Sequence, residues 1–333
     1  MKALFELTPQ MMAYHEKFAE TNSFPWVPYL MYFHPTKYRG AVFNTDASGF
    51  RYSEHNGKRY SLCECNREEP ARIIAGSSTV FGMGASSDAW TLPSRLSEND
   101  PRPELWLNFG GRSFNSTQEL MLLVLYRHLL PPIKEIVLFS GFNNLALAGL
   151  PTSLRLDNGP FFYCNQFFEA LNPKKPEGMK SIARWILKRH EAAQETPPSV
   201  EDQISYAAEL TIRHLHTWRV LAKDLNAKLT YILQPLSTWV RSKGCSQEEA
   251  LFAELEQMGS FSEFYGDILR PEVCHQYAEL LRVGVESMGS QFINISPILA
   301  ESVKIDQWLF VDRIHFTDDG YDFLSKKLLE VLL

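Results

Sequence analysis

The chain has 333 residues, 45% of them hydrophobic and 22% charged, with a net charge of −6 at pH 7. This is a globular balance that excludes wholesale disorder, and a chain of this length can bury a full core without disulfides or structural metal. The mild acidity is the opposite of the basic footprint left by nucleic-acid binding, and no run of 18 apolar residues marks a membrane span.

In chain order, the opening MKALFELTPQMMAYHEKF carries polar residues every few positions and has no apolar core of a secretory signal. A cytoplasmic protein is expected. The odd, irregularly spaced cysteines Cys63, Cys65, Cys164, Cys245 and Cys274 include no C-x-x-C pair and fit a reducing compartment. Residues 1–60 are rich in aromatics, proline and turn residues, and they read as an irregular segment wrapped on a domain. Five short, nearly continuous apolar runs follow, at Arg72–Ala75, Leu105–Phe109, Glu135–Phe139, Leu229–Leu233 and Gln291–Ile295. They read as central strands of a parallel sheet covered on both faces.

Amphipathic helices are expected between and after them. Gln118–Leu130 has Ser116 or Thr117 as its N-cap and Pro131-Pro132 as its stop. Asp202–Leu225 precedes the fourth strand and Pro271–Glu286 the fifth, with Pro271 suited to the first helical position. Asp318–Leu332 closes the chain. The alternation implies a doubly wound α/β fold with right-handed crossovers. The long gap from Gly141 to Lys228 holds GPFFYCNQFF, a basic stretch around Lys180–His190 and the linker QETPPS. Residues 145–200 are an insertion, either a lid over the carboxyl edge of the sheet, where ligands bind, or a helical appendage.

Four short segments carry candidate chemistry. Gly76-Ser77-Ser78-Thr79-Val80-Phe81-Gly82 follows the first strand, where a serine can project its hydroxyl from the sheet edge. Asn108-Phe109-Gly110-Gly111-Arg112-Ser113 ends the second strand and suits a backbone oxyanion donor. Ser140-Gly141-Phe142-Asn143-Asn144 follows the third and offers a side-chain amide for the same task. Val311-Asp312-Arg313-Ile314-His315 precedes the last helix, and an Asp three residues before a His can orient its imidazole as a base. Each segment alone has an ordinary turn or loop as its plainer reading. His214-x-His216 lies on an expected helix, where its spacing turns the rings apart, which disfavours a metal site.

Taken together and in this order, the segments resemble the four blocks of the SGNH (GDSL-like) hydrolase superfamily. Gly76, Ser78 and Gly82 match Gly-x-Ser-x-x-x-Gly, Gly141 and Asn143 match Gly-x-Asn, and Asp312 and His315 match Asp-x-x-His, so the resemblance spans roughly residues 70–333. Three positions depart from the pattern: Ser77 stands for the usual Asp, Ser113 for the usual Gly, and Asn144 for the usual Asp.

The resemblance implies one SGNH-like domain over 1–333, built as a three-layer α/β/α, flavodoxin-like sheet of about five parallel strands with an insertion after the third. It implies a catalytic Ser78, His315 and Asp312, an oxyanion hole of Ser78, Ser113 and Asn143, and no metal or cofactor. It implies a serine esterase acting on a small acyl ester, such as an O-acetyl group on a carbohydrate. Lipase or thioesterase action, acyl transfer, and a non-catalytic binding or regulatory role on the same fold are the alternatives. Asn44–Glu54 is also similar to the lead-in of bacterial SGNH proteins tied to surface-polysaccharide genes, and the chain resembles proteins labelled inducers of phenazine production.

Overall fold

The computed structural model describes residues 2–19, 25–152, 155, 157–162, 196–259, 262 and 265–333. Five strands form its main sheet: β1 (Ala71–Gly76), β2 (Leu105–Gly110), β3 (Ile133–Ser140), β4 (Lys228–Leu233) and β5 (Gln291–Asn294). All neighbours pair in parallel, in the order β2-β1-β3-β4-β5. Each expected strand is present, extended by a residue or two except at Ile295, which begins a helix.

The strands are apolar because both of their faces are covered. Ile73, Ala75, Ile136 and Leu138 point into one core, whereas Ile74, Val137 and Phe139 point into the other. That is the period-two alternation of a strand applied to a sheet buried on both sides. The first core is roofed by α3 (Ser116–Tyr126), α5 (Val200–Asp224) and α8 (Pro271–Ser287). The second is roofed by α2 (Leu92–Asn99), α7 (Ser246–Gly259), α9 (Ile295–Ser302) and α10 (Asp318–Leu332). The result is a three-layer α/β/α sandwich. Three short helices sit at the carboxyl ends of the strands: α1 (Ser78–Phe81), α4 (Phe142–Leu147) and α6 (Ser237–Val240).

Local chemistry sets the helix starts. Asn115, rather than Ser116 or Thr117, caps α3: its side chain accepts from Gln118 N–H while the Gln118 side chain accepts from Asn115 N–H. This reciprocal capping box satisfies two otherwise orphaned donors. Ser199 caps α5, Thr317 caps α10, and Pro271 occupies the first turn of α8. Within the stretch expected to be irregular, Lys2–Leu7 and Gln10–Ala19 are helical, and two short hairpins pair Trp26–Val27 with Met31–Tyr32 and Ser53–His55 with Lys58–Tyr60. The expected insertion at 145–200 falls largely on 163–195, outside the described residues, as do most of GPFFYCNQFF and the basic stretch.

The strand order matters for function. β1 lies between β2 and β3, and the chain moves from it to β2 on one side and then crosses to β3 on the other. In open sheets of this order, the connections leaving β1 and β3 part at their carboxyl ends and open a crevice where ligands bind. The Ser78 and Asn143 segments follow those two strands.

Candidate active site

The Ser78 turn is tight, and its neighbours explain why. Gly82 closes α1 in the left-handed region at φ 99°, with its N–H donating to Ser78 O at 3.0 Å. Glycine adopts that conformation without the Cβ penalty of other residues. On the other side, a Cβ on Gly110 would lie 2.0 Å from the Phe81 nitrogen, so β2 can approach the turn only as glycine. Gly111 N–H donates to Gly76 O at 3.0 Å, which ties the second block to the end of β1.

Ser78 Oγ lies 2.7 Å from His315 Nε2, and His315 Nδ1 lies 2.7 Å from Asp312 Oδ2. The other carboxylate oxygen of Asp312 accepts from the N–H groups of Ile314 and His315, both at 2.7 Å. Burial pushes the Asp312 carboxyl up, but the His315 imidazole and these hydrogen bonds outweigh it and hold the group below the usual aspartate range. A carboxylate can only accept, so the proton sits on Nδ1 and the Nε2 lone pair faces the serine hydroxyl. The Asp312 and His315 side chains are 22% and 13% exposed, so neither is sealed from solvent.

The remaining expected residues converge on the same sheet edge. Asn143 is buried, and its side-chain amide donates to Phe114 O at 2.6 Å, next to Ser113. That bond uses one of its two N–H groups. Ser113 stands where the family pattern has glycine, and it keeps the glycine conformation at φ 61°. A left-handed serine costs about 1–2 kcal/mol, so the surroundings must hold it there. Ser77 Oγ bonds Gln234 at 3.3 Å, and Gln234 in turn donates to Thr79 at 2.9 Å.

The side chain of Asn144 is engaged elsewhere. It accepts from Ser116 N–H at 3.0 Å and donates to Ser116 Oγ and Thr211 Oγ1, both at 2.7 Å. His214 joins this network through Ser116 Oγ at 2.7 Å, and burial pulls its pKa down to about 4. His214 is therefore a neutral structural imidazole. Among the described residues, no group of three or more His, Cys, Asp or Glu could hold a metal.

Several supports have no motif in the sequence. Arg51, buried to 1% exposure, donates to Phe81 O at 3.3 Å and Gly82 O at 2.8 Å behind the serine turn, and pairs with Asp88 at 3.0 Å. Tyr14 OH lies against the same Gly82 carbonyl at 3.0 Å. Glu248 accepts from the N–H groups of Leu309 and Phe310, both at 2.9 Å, and so anchors the start of the Asp312 loop. Tyr32 and His34 contact the Ser113 loop. These groups lie tens of residues from the partners they serve, so spacing within the chain could not reveal them.

No family model and no curated protein matches the chain. Solved structures similar to it include lipolytic and esterase proteins. One is a member of the lipolytic G-D-S-L family from Veillonella parvula DSM 2008, at 12% identity and TM-score 0.44, covering 79% of this chain and 98% of that one. Another is a lipase/acylhydrolase from Enterococcus faecalis, at 11% identity and TM-score 0.39, covering 79% and 95%. A third is a catalytic mutant of an acetylxylan esterase from Geobacillus stearothermophilus, at 13% identity and TM-score 0.41, covering 80% and 94%. Among the described residues, no helix is long and apolar enough to cross a membrane.

Proposed function

We propose that the protein is an SGNH-type serine ester hydrolase, with Ser78 as nucleophile, His315 as general base and acid, and Asp312 as the group that orients the imidazole. The observation that carries this reading is the unbroken relay from Ser78 Oγ through His315 to Asp312, each link 2.7 Å. A purely binding protein has no need of it.

Ser78 Oγ attacks the ester carbonyl as its proton passes to His315 Nε2. The carbonyl oxygen becomes an oxyanion, stabilised by the N–H groups of Ser78 and Ser113 and by the free amide hydrogen of Asn143. Each such donor is worth about 3 kcal/mol of barrier. The intermediate then expels the alkoxide, which takes the proton from His315 and leaves an acyl-serine. Water attacks that acyl group as its proton passes to His315, and the second oxyanion then collapses, breaking the acyl–Oγ bond while His315 returns the proton to Ser78 Oγ and the acid leaves. Asp312 remains a carboxylate throughout and stabilises the imidazolium. The residues require no cofactor for these steps.

The family resemblance favours a small acyl group, such as an O-acetyl on a carbohydrate, as substrate. A p-nitrophenyl ester series from acetate to palmitate tests both levels of the reading. Turnover is expected with short chains, falling by about 10⁴- to 10⁶-fold in Ser78→Ala. A preference for long chains would replace the small-acyl reading with a lipase-like one. No turnover on any ester, with no labelling of Ser78 by a fluorophosphonate, would overturn the hydrolase reading in favour of a binding protein.

A further inference from the structure

We infer that Tyr32 and His34, on the N-terminal segment, are positioning residues that hold the Ser113 N–H as an oxyanion donor. The inference rests on the esterase reading above and adds to it the device that keeps the second block in place.

Ser113 is left-handed without being glycine, so its backbone needs external restraint to stay in one orientation. Two bonds from the N-terminal segment bracket it. His34 Nε2 accepts from Arg112 N–H at 3.1 Å, one residue before, and Tyr32 OH donates to Ser113 O at 2.9 Å. A third, from Gln118 to Leu30 O at 3.0 Å, fixes the segment against the start of α3.

The His34 imidazole is itself over-determined. Its Nδ1 lies 3.0 Å from Gly49 O, which can only accept, so Nδ1 carries the hydrogen and Nε2 is free to accept from Arg112. Its ring lies 4.1 Å from that of Phe81 and 4.4 Å from that of Phe33. Phe81 ends the helix that begins at Ser78, so this one ring touches both the nucleophile helix and the oxyanion loop. Burial pulls the His34 pKa down to about 3, which keeps Nε2 an acceptor near neutral pH. Tyr32 is buried edge-on to Phe114 at 5.8 Å, which fixes its hydroxyl over the loop. Asn143 donates to Phe114 O, so both oxyanion blocks depend on this loop.

The test measures kcat and KM on a short p-nitrophenyl ester, together with thermal melting, for wild type, Tyr32→Phe, His34→Ala and His34→Gln. Loss of a whole oxyanion donor costs about 10²- to 10³-fold in kcat, so a displaced donor should cost part of that. Tyr32→Phe is expected to lower kcat about tenfold and His34→Ala about 10²-fold, with KM within about twofold. His34→Gln, which can still accept from Arg112 N–H, should recover most of the loss. If His34→Ala does not fold, Tyr32→Phe and His34→Gln still decide the matter. Folded Tyr32→Phe with wild-type kcat, or a lowered melting point with no change in kcat, would reduce both residues to structural ones while Ser78-dependent turnover stands. Absence of Ser78-dependent turnover in wild type would instead overturn the esterase reading, and this inference with it.

Discussion

Asp312 accepts three hydrogen bonds with two oxygens, and this decides which nitrogen of His315 faces the serine. Asp312→Asn leaves the shape intact but can present an N–H to Nδ1, which favours the wrong tautomer. Ester turnover is expected to fall about 10⁴-fold, and kcat with a short ester checks it. A second buried carboxyl behaves in the opposite way. Glu119 is held by Ser140 Oγ at 2.8 Å beneath the third block, and burial pushes its pKa up to about 8. Its folded pKa is raised, so the native state binds a proton that the unfolded chain releases near pH 4.5. The contribution of Glu119 to stability therefore falls as pH rises from about 4.5 to about 8 and levels above that. Glu119→Gln keeps the acceptor for Ser140 and removes the titration. It should raise stability at pH 8 by up to about 4 kcal/mol and leave it unchanged below pH 4. Urea unfolding at both pH values measures this, and parallel curves for the two proteins would refute it.

At the scale of elements, the serine turn is held from behind as well as from within. Arg51 reaches the carbonyls that end α1 and pairs with Asp88, with both side chains at most 1% exposed. Removing one partner of a buried pair leaves an uncompensated charge and costs about 3–5 kcal/mol. Arg51→Met and Asp88→Asn are each expected to destabilise by that order, and urea midpoints measure it. Values below about 1 kcal/mol would show that the pair does not staple the turn. The element starts were legible where the signal was local, as with Pro271 at the start of α8. The N-cap of α3 is Asn115 where Ser116 or Thr117 is expected, because all three residue types are good caps. Only the geometry that lets Gln118 bond back to Asn115 selects among them.

For the whole molecule, the first 60 residues are integral to the site in chemical terms. They bring Tyr14, Tyr32, His34 and Arg51 to the loops around Ser78 and Ser113. They also cover Phe81, which is fully buried. A chain beginning at residue 61 should therefore aggregate or lose ester turnover, whereas a wrap merely resting on the surface would be dispensable. Size-exclusion chromatography and a p-nitrophenyl ester assay on that fragment check it, and a monodisperse, active fragment would refute it.

The sequence by itself determined the sheet and marked the segments that carry the proposed chemistry. Strands buried on both faces must be continuous runs of apolar residues, and such runs are readable without a partner. The blocks around Ser78, Ser113, Asn143 and Asp312–His315 were readable because each is a short segment whose members are neighbours in the chain. What only the tertiary structure decided is the support of those groups. Asn144 serves Ser116 and Thr211 rather than the oxyanion side, and Ser113 keeps a glycine's backbone under the hold of Tyr32 and His34. The physical reason is distance along the chain. A hydrogen bond between residues 28 or more positions apart leaves no periodicity and no spacing to read, and it exists only once both elements pack together.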